Sequence, residues 1–173
     1  MTSVLVLKTG ALGDVLRTTS ILPGLAARFA GLRVTWLTAR AAVPLVERHP
    51  LVDRVVTCDP ADAASVEAAG RELGEDAWDW VLSLDDEEPL CALASSLEAR
   101  RVSGAVVGAD GARTYTDDVE EWFGMGLLSR DGKEAADARK RENVRTHPAI
   151  FASMLGIEAG RPALPLPDAA VER

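Results

Sequence analysis

The sequence predicts an α/β fold, a Rossmann-like doubly wound parallel sheet, and three observations carry that prediction. Short apolar runs alternate with longer amphipathic ones along most of the chain, the pattern of right-handed strand-helix-strand units. The first and fourth apolar runs, Ser3 to Lys8 and Trp80 to Leu84, are hydrophobic almost throughout, as strands covered on both faces must be. The first run passes through the turn Gly10-Ala11-Leu12-Gly13 straight into a helix, which sets a loop at the lip of the sheet where open α/β folds bind ligands.

The elements follow in order. After the strand Ser3 to Lys8, Val15, Leu16, Leu22, Leu25, Ala26 and Phe29 recur at helical spacing. Pro23 removes a backbone donor inside that helix and predicts a kink near Thr19, eased by the hydroxyls of Thr18, Thr19 and Ser20. A second strand spans Arg33 to Thr38, and Val43, Leu45 and Val46 mark a short helix before a third strand, Arg54 to Thr57. Val66, Ala69 and Leu73 make a helical stripe leading to the fourth strand, and Leu90, Leu93, Ala94 and Leu97 another leading to the fifth, Arg101 to Gly104. Beyond it, Gly108, Gly111, Gly124, Gly126 and the acidic run Asp117 to Glu121 read as a long loop holding one strand or short helix. A final helix is expected over Gly132 to Leu155, closed by Gly156. The stretch Arg161-Pro162-Ala163-Leu164-Pro165-Leu166-Pro167 is stiff and poor in donors. The expected organisation is therefore one domain over residues 1–160 and a proline-rich linker or tail over 161–173.

Composition narrows the function classes. A chain of 173 residues with 47% hydrophobic content suits a single core. A net charge of -8 argues against nucleic acid and anionic lipid as partners. Cys58 and Cys91 are far apart and form no CxxC pair, which suits a reducing, cytoplasmic setting. The apolar start is too short to span a membrane and is broken by Lys8 and Asp14, so no transmembrane or targeting segment is expected.

The loop from Gly10 to Asp14 is neither a Walker loop nor GxGxxG, since no GK[ST] follows and its two glycines are three apart. An acid at that helix start repels phosphate. Asp14 therefore has two readings: it caps the helix against the positive end of the dipole, or it serves as a general base. Lys8, Thr9 and Arg17 flank it, and Lys8 or Arg17 is either a partner for an anionic group or a surface charge. Asp85-Asp86-Glu87-Glu88 follows a strand and precedes Pro89, which favours helix-capping acids over a metal site. His49 and His147 each precede a proline, with nothing in the sequence to support a catalytic or metal role. Arg139, Lys140, Arg141 and Arg145 read as a solvated helix face balanced by Glu134, Asp137 and Glu142, or else as a docking surface.

Five segments carry a family resemblance: TGALGDVLRTTSILPGLAARF, RVTWLT, DWVLSLDDE, GADGARTYTDDVEEWFGMGLLSRDGKEAADARKRENVRTHP and MLGIEAGRPALPLP. Together they resemble the amino-terminal half of the heptosyltransferases, the ninth family of glycosyltransferases. The resemblance implies two Rossmann-like domains facing each other in the GT-B arrangement, with this chain equivalent to the amino-terminal, acceptor-side one. It implies that Asp14, the acid of the GD pair, deprotonates an acceptor hydroxyl for inverting attack on a nucleotide-activated sugar, typically ADP-heptose. Lys8, Thr9, Gly10, Gly13, Arg17 and Asp85 are then the substrate-binding candidates, and neither metal nor other cofactor is implied. Trp122 and Phe123, behind the acidic run, anchor a solvated loop or form an acceptor-side lid. Family members are about twice this length, and their second domain holds most of the nucleotide. The expected partners are a sugar acceptor and a nucleotide sugar held by a further domain or chain. The sequence reads equally as a fragment, as one subunit of a split enzyme, or as a stand-alone half. The alternative function is a non-catalytic binding module that keeps the half-fold. The acceptor is open among a lipopolysaccharide core sugar, another glycan and a secondary metabolite.

Overall fold

Alternate residues of β1 (Thr2–Leu7) bury toward opposite faces of a sheet, and this alternation sorts the whole molecule into layers. The computed structural model describes residues 1–164. Val4 and Val6 join one core with Val34, Trp36, Trp80 and Leu82, while Leu5 and Leu7 join a second with Leu37, Val56 and Val81. A strand apolar on both sides can be satisfied only between two helical layers.

The chain runs β1, α1 (Leu12–Thr18), α2 (Ile21–Arg28), β2 (Leu32–Thr38), α3 (Val43–Val46), β3 (Arg54–Thr57), α4 (Ala63–Leu73), β4 (Trp80–Ser83), α5 (Glu88–Ser96), β5 (Val102–Val107), β6 (Arg113–Tyr115), α6 (Glu120–Phe123), α7 (Gly132–Glu142) and α8 (His147–Leu155). The described residues form a six-stranded sheet in the order β3-β2-β1-β4-β5-β6. Strands β1 to β5 are parallel and β6 is antiparallel to β5. Residues of α1, α2, α3 and α8 close the first core, and those of α4 and α5 the second. The expected Rossmann-like α/β fold is present. Among the described residues, no helix is long and apolar enough to cross a membrane.

Of three local expectations, one is met and two are corrected by the structure. The helix after β1 does break near Thr19, with α1 ending at Thr18 and α2 starting at Ile21. Pro23 has no N–H for the Thr19 carbonyl, and Leu22 N takes it at 3.1 Å instead. The fifth strand does not stop at Gly104. It continues through Ala105-Val106-Val107, because β6 returns against it with Ala105 opposite Tyr115 and Val107 opposite Arg113. The single helix expected over Gly132 to Leu155 is two helices. Asn143 Oδ1 accepts from Arg145 N at 3.0 Å, Thr146 caps α8 through Ala149 N, and Pro148 sits in the first turn, so three local signals stop one helix and start the next. Gly156 closes α8 in the left-handed region, with φ 63°.

After Gly156 the chain crosses back over the α1–α2 break. Gly160 N donates to the Ser20 carbonyl at 3.2 Å and Ala163 N to Thr19 Oγ1 at 3.1 Å. A Cβ on Gly24 would stand 2.4 Å from the Glu158 carbonyl oxygen, so this approach requires glycine. Residues Arg161 to Leu164 carry no regular secondary structure. The remainder of the expected linker, from Pro165 on, lies outside the described residues.

Candidate functional site

The sheet order reverses between β1 and β4: from β1 the chain builds outward through β2 and β3, then returns to add β4, β5 and β6 on the other side. The crevice outside the carboxyl ends of those two strands is where open α/β sheets take ligands. Lys8 follows β1 there, and Asp85 lies just beyond β4.

Lys8 keeps its backbone in the sheet. Its N–H donates to the Leu37 carbonyl at 3.0 Å, and its own carbonyl accepts from Trp36 Nε1 at 3.1 Å. Its side chain is buried and its Nζ pairs with Asp85 Oδ1, while Asp85 Oδ2 accepts from both the N–H and, at 2.7 Å, the Oγ1 of Thr9. One carboxylate from the end of β4 thus fixes two successive residues at the end of β1. Gly10 and Gly13 complete the turn, and a Cβ at either would meet nothing within 4 Å, so this backbone faces open space.

Asp14 stands at the third position of α1. The helix starts at Ala11, whose carbonyl accepts from Asp14 N at 2.8 Å and Val15 N at 3.0 Å, and no side chain caps it. Among the described residues, the hydrogen bond to the Asp14 carboxylate comes from Arg17 Nη2, one turn along, rather than from a helix N–H. The geometry therefore departs from helix capping while leaving Asp14 at the positive end of the helix dipole. The Asp14 side chain is one-third exposed and that of Arg17 more than half, so the pair adds at most about 1 kcal/mol and mainly orients the carboxylate.

Asp14 opens onto a cleft of about 310 Å³. Lys8, Leu84 and Asp85 line its strand side, together with Asp86, and Trp122, Phe123, Met125 and Gly126 face them from α6 and the turn after it. Lys140 of α7 and Asn143, which follows that helix, close one rim. Three of the candidate residues, Lys8, Asp14 and Asp85, thus line one cleft. Thr9, Gly10, Gly13 and Arg17 lie beside the cleft rather than in its lining.

Nothing in the sequence singles out His147. It is the first residue of α8, buried, stacked on Phe151 at 4.0 Å between ring centroids and edge-on to the cleft-lining Trp122 at 4.9 Å. Its Nδ1 has no hydrogen-bond partner. Burial first, then Arg17 and Lys8, push its pKa down to about 4, with Asp14 opposing. The Thr146-His147-Pro148 start signal would have placed it at a helix N-terminus, but nothing in the sequence brings that terminus to Asp14. His49 serves its own turn, accepting from Leu51 N at 3.2 Å.

The acidic run is not a free loop. Asp117 pairs with Arg130, Asp118 with Arg101, Glu120 with Arg139 and Glu121 with Arg145. Burial raises the pKa of Asp118, but hydrogen bonds from Ser103, Thr116 and Arg101 outweigh it and hold the carboxyl below its ordinary range. Two of the basic residues thus tie α7 and the turn before α8 to α6 rather than balancing acids within their own helix. Of Asp85-Asp86-Glu87-Glu88, Asp85 turns inward, and Glu88 sits in the first turn of α5. Burial and the neighbouring Asp85 raise the pKa of Glu87. Among the described residues, no three His, Cys, Asp or Glu side chains are grouped to hold a metal ion.

This arrangement is that of a Rossmann-like α/β domain with a carboxylate at its switch point. No protein-family model matches the sequence, and no curated protein does. Among solved structures, the E. coli heptosyltransferase WaaC with ADP-2-deoxy-2-fluoro heptose matches 94% of this chain and 51% of its own at a TM-score of 0.59 and 18% identity. The glycosyl transferase family 9 structure from Veillonella parvula matches 53% of this chain and 28% of its own, at a TM-score of 0.49 and 22% identity. The E. coli ADP-heptose lps heptosyltransferase II matches 54% and 27%, at 0.44 and 18%. The resemblance to heptosyltransferases read in the sequence is thus met by a likeness in fold. The chain spans about half the length of the WaaC structure it matches.

Proposed function

We propose that this chain is the acceptor-side half of an inverting, heptosyltransferase-like glycosyltransferase, with Asp14 as the general base. The observation that carries the reading is the Asp14 carboxylate at the sheet's switch point, held by Arg17 and open to a cleft with an aromatic wall. In the reaction Asp14 takes the proton of an acceptor hydroxyl as the oxygen attacks the anomeric carbon of a nucleotide sugar. The bond from that carbon to the diphosphate breaks on the opposite face, and the configuration inverts. The departing diphosphate carries the developing negative charge and needs donors aimed at it. A nucleotide-sugar-binding unit outside these 173 residues supplies them.

The other candidate residues act by holding the site in shape. Lys8, Thr9 and Asp85 lock the loop, Arg17 orients Asp14, and Gly10 and Gly13 let substrate approach the backbone beside the base. Residues 161–173 lead toward the donor-binding unit, and the protein works in the cytoplasm where nucleotide sugars are made. The test is to combine the chain with a candidate nucleotide-sugar-binding half and read the anomeric configuration of the product by NMR. Inverted product is expected. Retained configuration overturns the mechanism, and no transfer with any nucleotide sugar favours a non-catalytic binding module.

A further inference from the structure

We propose that the cleft beside Asp14 takes an uncharged, sugar-like acceptor with an apolar face, and that Trp122 is the side chain that selects it. The inference rests on the reading above only in calling the ligand an acceptor; the binding itself is independent of transfer.

The first observation concerns the four tryptophans of the chain. Three are buried and their indole N–H groups are used within the protein: Trp36 donates to the Lys8 carbonyl at 3.1 Å, Trp78 to the Leu73 carbonyl at 3.2 Å and Trp80 to Ser103 Oγ at 2.8 Å. Trp122 alone lines the cleft, and among the described residues its N–H has no protein acceptor. That N–H is not among the buried polar atoms of the described residues, so it is open to solvent and available to a ligand. The ring is also held in place, edge-on to Phe151 at 5.1 Å and 71° and to His147 at 4.9 Å and 83°. A fixed aromatic face with a free donor at its edge matches the apolar C–H face of a pyranose ring and one of its oxygens, at little ordering cost.

The second observation is charge. Lys8 is spent on Asp85 and Arg17 on Asp14. Arg130, Arg139 and Arg145 around the far wall are spent on Asp117, Asp131 and Glu121. Lys140 is the one cleft-lining cation without an ion-pair partner among the described residues, and the same cleft holds the carboxylates of Asp14 and Asp86. A phosphate on the ligand would enter a cavity with no positive excess, where like charges cost more than in water. Hydroxyls, by contrast, can donate to Asp14 and Asp86 while Leu84 and Met125 cover the apolar side.

The test follows the indole N–H resonances of the intact chain by 1H–15N NMR during titration with p-nitrophenyl β-D-glucopyranoside and, separately, with its 6-phosphate. The Trp122 resonance, assigned by its loss in Trp122→Phe, should shift with the neutral glycoside, which should bind about tenfold more tightly than the phosphate ester. Trp122→Phe keeps an aromatic, though smaller, ring and removes the donor, and it should weaken the neutral glycoside at least roughly fivefold, the effect of one neutral hydrogen bond. Asp86→Asn should narrow the gap between the two probes. Tighter binding of the phosphate ester overturns the proposal, as does a Trp122 resonance that responds to neither probe. Glycoside binding without any sugar transfer would sink the catalytic reading alone, and transfer with a silent Trp122 would sink only this inference.

Discussion

Lys8 and Asp85 form a buried ion pair across the carboxyl ends of β1 and β4, and the same carboxylate holds the Thr9 N–H and hydroxyl. Truncating one partner of a buried pair leaves the other charge uncompensated. Asp85→Ala should therefore destabilise the fold by about 3–5 kcal/mol, measured by chemical denaturation. Lys8→Met, which removes the other charge and keeps the side-chain volume, should recover much of that loss in the double variant. A double variant no more stable than Asp85→Ala would show that the loop, rather than the unpaired Lys8 charge, accounts for the cost.

His147 gives the fold an acid-sensitive group. Its ordinary pKa is 6.5, and burial with Arg17 and Lys8 nearby lowers the folded value to about 4. Above 6.5 the imidazole is neutral in both states; below it the unfolded chain takes up a proton that the folded chain refuses until about pH 4. Stability from this group is thus lost as pH falls through that window, by about 3 kcal/mol in full. His147→Phe keeps a ring against Phe151 and Trp122 and has no proton to take up. Its loss of stability between neutral pH and pH 4 should be smaller than that of the unsubstituted chain by roughly that amount, read from denaturation curves at a series of pH values.

The crossing of residues 157–163 over the α1–α2 break depends on Gly24, where a Cβ would lie 2.4 Å from the Glu158 carbonyl oxygen. Gly24→Ala should push the crossing segment away and cost about 1–3 kcal/mol. The local signature is amide exchange: Gly160 and Ala163, whose N–H groups bond Ser20 O and Thr19 Oγ1, should exchange faster, while amides of β1 and β4 follow only the change in global stability. Unchanged exchange at Gly160 and Ala163 would show that the crossing does not need the glycine.

The parallel strands were legible because burial on both faces writes itself as unbroken apolar runs, as in Val4-Leu5-Val6-Leu7 and Trp80-Val81-Leu82. The break near Thr19 was legible because Pro23 lacks a donor. The β5–β6 hairpin was not, since β6 is three residues long and its partner Ala105-Val106-Val107 stands among glycines that read as loop. Thr146 and Pro148 carried the start of α8, but the helical pattern on either side of them masked the break. At the site, Asp14 was visible from its local motif. The bond between Lys8 and Asp85 joins residues 77 apart, and the meeting of His147 with Trp122 depends on how α8 packs, so neither leaves a local trace.

Asp14 itself is tested most directly by the rate of sugar transfer. With a nucleotide-sugar-binding half supplied, transfer by the unsubstituted chain is compared with transfer by Asp14→Asn, which keeps the shape and the hydrogen bond from Arg17 to an oxygen but cannot accept the acceptor's proton. Loss of a positioned general base should slow transfer by about 100- to 10,000-fold, with the variant's fold unchanged. An Asp14→Asn chain that transfers sugar at the full rate would contradict the assignment of Asp14 as the base.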